Sequence, residues 1–124
     1  MITNQSLGKH GRLGNQIFQY AFLFGLSDLK KYDFCIPPET DLQKCFDLNC
    51  KIQPFSLSKG FVEKQFHYDQ SFDSYTDNTN YTGYFQTEKY FYHCKEKLIN
   101  SLRFREEHKK VIPFCESKDL VSIH

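Results

Sequence analysis

From Asn15 onward the apolar residues Ile17, Phe18, Ala21, Phe22, Phe24, Gly25 and Leu29 recur at steps of three and four, which predicts an amphipathic helix from Gly14 to about Lys31. Ahead of it, Met1 to Leu7 makes a poor strand, with Ile2 and Leu7 as its only aliphatics after Met1. Tyr32 to Ile36 is a short buried strand that Pro37-Pro38 stops. A strand, a turn, a helix and a strand in that order begin an α/β layer. Leu42, Cys45, Phe46 and Leu48 have helix-like spacing before Pro54, so 39–59 reads as a short helix and loop. Phe61 to Tyr68 alternates enough for a strand, Asp69 to Asn80 is polar enough for a surface loop, and Tyr81 to Phe85 is again a strand. Thr87 is placed to cap a following helix with Tyr90, Phe91, Cys94, Leu98, Ile99 and Leu102 on its apolar face and Lys89, Lys95, Glu96 and Lys97 outside. Arg103 to Lys110 reads as a solvated charged face, and Val121 to His124 as a buried strand with a histidine at its exit.

Composition narrows the partners. The 124 residues suit one domain. Sixteen basic and 15 acidic residues leave a net charge of +1, so the chain lacks the electrostatic footprint for nucleic acid or an anionic membrane. Small molecules fit better. The mean hydropathy of −0.60 argues against a transmembrane segment, and Asn15, Gln16 and Gln19 interrupt the one stretch near the start that resembles a signal core. Thirteen Phe and eight Tyr serve a core, and also serve as platforms for sugar faces. The five cysteines, Cys35, Cys45, Cys50, Cys94 and Cys115, match no zinc or redox spacing, which favours reduced thiols in a cytoplasmic setting. His93 beside Cys94 suggests a ligand pair, but adjacent helix positions point apart, so no metal is expected. Without a secretion signal, the sequons at Asn4 and Asn80 are read as chance matches.

Two places carry candidate chemistry. Gly11 and Gly14 permit tight turning and close approach, and the helix that follows offers free N–H groups and a positive dipole end to a diphosphate or a sugar hydroxyl. The spacing matches neither G-x-G-x-x-G nor the phosphate loop ending in Gly-Lys. At the second place, Tyr84, Gln86 and Glu88 cluster at a strand-to-helix junction. Either Gln86 or Tyr84 lines a cleft that Glu88 orders, or Thr87 and Glu88 merely start a helix. His67-Tyr68-Asp69 can contact a sugar or simply form a turn.

The string Gly11-Arg12-Leu13-Gly14-Asn15-Gln16-Ile17-Phe18-Gln19-Tyr20-Ala21 resembles the opening motif of the α-1,2-fucosyltransferases of glycosyltransferase family 11. Gly83-Tyr84-Phe85-Gln86-Thr87-Glu88-Lys89-Tyr90-Phe91 resembles that family's internal segment, in the right order and at about the expected separation. In the family a strand like Val121-Ser122-Ile123-His124 is followed by an Arg-Arg-Gly-Asp-Tyr run. The resemblance implies a Rossmann-like domain over 1–124, the incomplete first half of a GT-B arrangement whose donor-binding second domain is not in this chain. It implies an inverting, metal-independent galactoside 2-α-L-fucosyltransferase that moves fucose from GDP-fucose to a galactoside 2-hydroxyl, with no cofactor. Arg12, Gly14, Asn15 and His124 would then bind donor, with Asn15 the side chain that touches it; the alternative for Arg12 is that it simply holds the loop. His124 would be catalytic, beside the donor's phosphates or fucose, and Tyr84, Gln86 and Glu88 would line the acceptor cleft. The residues alone would be expected to be inactive, because the arginine pair is missing, and attachment of the parent protein to a membrane periphery stays open. The rival from another class is a noncatalytic carbohydrate-binding or interaction domain; a weaker one is a redox or zinc protein using Cys45, Cys50 and His93.

Overall fold

The computed structural model describes residues 1–9, 11–65 and 67–105. Ile2–Thr3 (β1) lies at the centre of a sheet, paired in parallel with Phe34–Ile36 (β2) on one side and Asn80–Thr82 (β6) on the other. Lys51–Ile52 (β4) extends the β2 side and Gly60–Val62 (β5) the β6 side, giving a five-stranded parallel sheet in the order β4-β2-β1-β6-β5. Leu13–Lys30 (α1) connects β1 to β2 and ends on Lys31 in the left-handed conformation. Asp41–Cys45 (α2) follows β2, and Lys95–Ser101 (α3) follows β6 through two short 3-10 turns, Glu88–Tyr90 and Tyr92–Cys94. Phe46–Asp47 (β3) pairs antiparallel with Arg103–Phe104 (β7) as a separate ribbon. The molecule is therefore α/β, with a parallel sheet and helices compatible with a Rossmann-like fold.

The predicted first helix forms, but its burial is wider than an amphipathic stripe. Gln16 and Gln19 are buried along with Tyr20, Ala21, Phe22, Leu23, Gly25 and Leu26, whereas Leu29 is exposed. Buried amides on a helix need partners. Gln16 supplies one at the start of α2, where its Oε1 accepts from Leu42 N and its Nε2 donates to Asp41 Oδ2, both at 3.3 Å. Gly25 serves close packing: a β-carbon there would meet the Tyr90 carbonyl oxygen at 2.2 Å, so the helix rests directly on the backbone after β6.

Phe22 centres the core. Its ring stacks on Phe85 with centroids 3.8 Å apart and meets Tyr90 edge-on at 5.2 Å and Tyr81 at 5.5 Å. Phe72 and Tyr75 join the same cluster. This corrects the expected surface loop at 69–80: most of the polar residues there do face outward, but Thr79 is buried and Phe72 and Tyr75 are buried anchors, with a 3-10 turn at Phe72–Ser74. The expected strand from Phe61 shortens to β5, and the strand from Tyr81 begins one residue earlier and stops at Thr82. The region after Thr87 is not one helix. Thr87 does accept from Lys89 N, at 3.4 Å, but the segment tightens into 3-10 turns before α3, and Ile99, placed on the buried face by periodicity, is exposed. The reading of 39–59 as helix and loop captures α2 and misses β3 and β4. Arg103 and Phe104 are in a strand; Arg103 is exposed, as a solvated face has it, while the Phe104 ring lies 4.9 Å from that of Phe46.

Candidate functional site

Parallel strands present their carboxyl ends along one edge, and ligands of such sheets gather where neighbouring strands send their connections opposite ways. Here β1 leads through α1 to β2, while β6 lies on the other side of β1. The chain leaving β1 and the chain leaving β6 meet at that edge. The poor strand signal at Met1 to Leu7 has its explanation there: Thr3 and Asn4 are buried polar residues whose side chains bond neighbouring strands and turns. Thr3 Oγ1 donates to Cys35 O at 2.9 Å. Asn4 Nδ2 donates to Gly83 O at 3.3 Å, and Asn4 Oδ1 accepts from Ser6 N and Ser6 Oγ, turning the chain out of the sheet.

The turn after β6 is held from three sides. Gly83 O also accepts from Gln19 Nε2 at 2.9 Å, and Glu63 Oε1, just beyond β5, accepts from Tyr84 N at 3.1 Å and Phe85 N at 3.2 Å. Gly83 has φ +154° and a β-carbon there would lie 2.5 Å from Glu63 Cβ. Phe85 sits at φ +50°, an unfavourable region for a bulky residue, costing of order 1–3 kcal/mol. Burial of its ring against Phe22 offsets that. The conformation turns Phe85 inward while Tyr84, Gln86 and Glu88 stay exposed.

Gln86 Nε2 donates to Asn15 Oδ1 at 2.5 Å, so the two candidate motifs touch. Asn15 in turn folds over Gly11, whose φ of +87° and missing β-carbon make room for it. The tight turn therefore belongs to Gly11. Gly14, expected to share that role, lies within α1. Arg12 is the N-cap residue of α1, exposed, with no side-chain partner among the described residues. The first amides of α1 point past it toward the same edge, unsatisfied by helix geometry. His124 lies outside the described residues, as does Cys115.

Asn4, Gln19 and Glu63 are the site-forming residues that sequence reading missed. The available signal was a polar amide inside an apolar helical run. Gln19 remains under-satisfied, since its buried Oε1 has no partner among the described residues. His67 is exposed, and Asp69 is already engaged: Oδ2 accepts from Tyr75 Oη at 2.7 Å and Oδ1 from Ser71 N and Oγ. The Tyr75 hydroxyl foremost, then Ser71, hold the Asp69 carboxyl below its ordinary range, as a turn-forming aspartate requires.

His93 and Cys94, in the 3-10 turn at 92–94, come together with Asp28, their side-chain ligand atoms within 4.8 Å of one another. The expectation that they point apart is thereby corrected. All three are engaged by protein groups. His93 Nε2 is 3.0 Å from Gly25 O, Asp28 Oδ1 accepts from Lys97 Nζ at 3.0 Å, and Cys94 Sγ donates to Phe91 O. Burial, and then Asp28, push the Cys94 thiol up to about 11. Cys35, Cys45, Cys50 and Cys94 are free thiols, and burial foremost raises Cys50 to about 11. Among the described residues no helix is long and apolar enough to cross a membrane. No family model, curated protein or solved structure matches the chain.

Proposed function

We propose that this chain forms the Rossmann-like first half of a GT-B galactoside 2-α-L-fucosyltransferase, inverting and metal-independent, with GDP-fucose as donor and a galactoside as acceptor. The observation that carries the reading is the Asn15–Gln86 hydrogen bond. Two strings that resemble the same family, separated by 71 positions, meet side chain to side chain at the carboxyl edge of a parallel sheet. As fucose departs, negative charge grows on the diphosphate. The free amides and positive dipole end of α1, with the exposed Arg12 at its N-cap, supply stabilisation at that point without a metal. Asn15, fixed by Gln86, orients a donor hydroxyl or phosphate oxygen, and Tyr84 and Glu88 flank the acceptor side. His124 joins as the catalytic, phosphate-side residue in this reading.

Binding tests the reading more directly than turnover. Titrating isotope-labelled protein with GDP-fucose is expected to shift the amides of 11–16 and 83–88, and Asn15→Ala and Arg12→Ala are each expected to weaken binding about tenfold, the worth of one charge-assisted contact. No response at those amides at millimolar GDP-fucose, or unaltered affinity in both variants, would overturn it.

A further inference from the structure

At the far end of α1 from the Asn15–Gln86 contact, Asp28 meets His93 and Cys94 of the turn before α3, and none of the three takes part in the donor reading. The helix between Asn15 and Asp28 sets them about 20 Å apart, at about 1.5 Å per residue. Each of the three keeps an unused lone pair. The Gly25 carbonyl can only accept, so its 3.0 Å contact puts the proton of a neutral His93 ring on Nε2 and leaves Nδ1 without a partner among the described residues. Lys97 Nζ holds Asp28 Oδ1 at 3.0 Å, while Oδ2 has no hydrogen bond among the described residues and lies 3.9 Å from His93 Nε2. Cys94 Sγ spends only a weak S–H bond on Phe91 O at 3.5 Å, and that carbonyl already accepts from the Cys94 amide at 3.1 Å.

We propose that Asp28, His93 and Cys94 bind a zinc ion, at a site remote from the nucleotide edge and independent of the transferase reading. Thiolate, imidazole and carboxylate together are the ligand set of a borderline-soft, tetrahedral cation, whereas magnesium and calcium take oxygen ligands. The three ligand atoms lie within 4.8 Å of one another, and ligands around zinc stand about 3.3–3.6 Å apart at bond lengths of about 2.0–2.3 Å. Side-chain rotation closes that difference. Coordination through Nδ1 retains the Nε2–H bond to the Gly25 carbonyl, and coordination through Asp28 Oδ2 retains Lys97 on Oδ1, so both ligands keep an outer partner that fixes their orientation. The thiol gives its proton to solvent as its sulfur binds. Carboxylate and thiolate then balance the charge of the ion. Water takes the fourth position, because the His93 and Asp28 side chains are 32% and 21% exposed. The ion ties the end of α1 to the turn that leads into α3.

The test adds Co²⁺, a coloured stand-in for zinc, to the reduced chain. The expected result is a sulfur-to-cobalt charge-transfer absorption with the intense visible bands of tetrahedral cobalt, both displaced by Zn²⁺ with a dissociation constant on the order of micromolar. Cys94→Ser is expected to abolish the charge-transfer band, and His93→Ala and Asp28→Asn are each expected to weaken Zn²⁺ binding at least about tenfold. Circular dichroism of the metal-free variants checks their folding. His93 is exposed, so His93→Ala decides the matter if Cys94→Ser, at a buried position, does not fold. No charge-transfer band at excess Co²⁺ would overturn the site. So would a band and a Zn²⁺ affinity that His93→Ala leaves unchanged, which would put the metal on other thiols. The GDP-fucose titration is read separately, so the zinc site and the transferase reading stand or fall apart from each other.

Discussion

The turn after β6 and the loop after β1 leave the same edge of the sheet under different constraints. In the turn, the Gly83 carbonyl takes two side-chain amides, the Tyr84 and Phe85 amides both reach Glu63, and Phe85 spends its ring on the core. In the loop, Leu7 is buried and Asn4 and Ser6 shape the first bend, but Gly8, Lys9, Gly11 and Arg12 are exposed and the first amides of α1 face outward. A wall tied at three successive backbone groups, Gly83 O, Tyr84 N and Phe85 N, holds one geometry. A loop with spare donors has capacity for a ligand. The Asn15–Gln86 bond joins the two, so the fixed member positions the open one.

The largest way to break this comparison is to remove the anchor of the fixed turn. Phe85→Ala is expected to cost about 3–5 kcal/mol, the range for a fully buried aromatic, even with some relief at φ +50°. Urea unfolding measures it. The double variant with Phe22→Ala should be less than additive, since the stacked pair carries about 0.5–1.5 kcal/mol of its own. A loss under about 1 kcal/mol would mean that the turn is not held by its ring.

Next come the two glycines. Gly83→Ala forces a side chain against Glu63 and is expected to destabilise by about 1–3 kcal/mol. Gly11→Ala, at φ +87°, is expected to cost about 1–2 kcal/mol from the left-handed backbone alone, because the Asn15 side chain in its path can swing away. Swinging away, however, breaks the link to Gln86. Gly11→Ala should therefore hurt nucleotide binding more than its stability loss suggests, while Gly83→Ala should do the reverse. Thermal melts beside the GDP-fucose titration sort the two.

These contrasts also show what the sequence made legible. Helix α1, strand β2 with its Pro37-Pro38 stop, and the capping Thr87 follow from local rules, and so do the two exposed motif ends. What escaped depends on tertiary partners. Two residues suffice for the central strand because neighbours pair on both sides, so neither alternation nor length could flag it. Phe72 and Tyr75 sit in polar company yet are buried, because Phe22 reaches them from a helix fifty positions away. Glu63 gains its importance only from two amides across the sheet edge.

Acidity gives a smaller effect with a defined sign. Asp69, on the tied flank, has its carboxyl lowered foremost by the Tyr75 hydroxyl, and Asp28 foremost by Lys97. A lowered folded value means that the stabilisation is complete above the unfolded value of about 4 and fades as pH falls through the folded one. Stability should accordingly drop on acidification below about pH 4, and Asp69→Asn should flatten that limb while leaving the slope above it unchanged. Denaturant midpoints measured across pH 2 to 6 would report the change.

The smallest expected effect on stability is the most informative one for the site. Gln86 is exposed and Asn15 only half buried, so Gln86→Ala should cost no more than about 0.5 kcal/mol, less than a typical buried hydrogen bond. If the fixed turn positions the open loop, the same substitution frees Asn15 and broadens its side-chain amide resonances, and GDP-fucose affinity falls several-fold although Gln86 itself need not touch the nucleotide. Gln86→Glu should not restore the affinity: an Asn15 amide turned over can donate its Nδ2 to the new carboxylate, but that charge would repel the diphosphate that the α1 end favours. Asn15 resonances unchanged in Gln86→Ala would show that the two turns are independent neighbours, and the comparison between them would then describe packing alone.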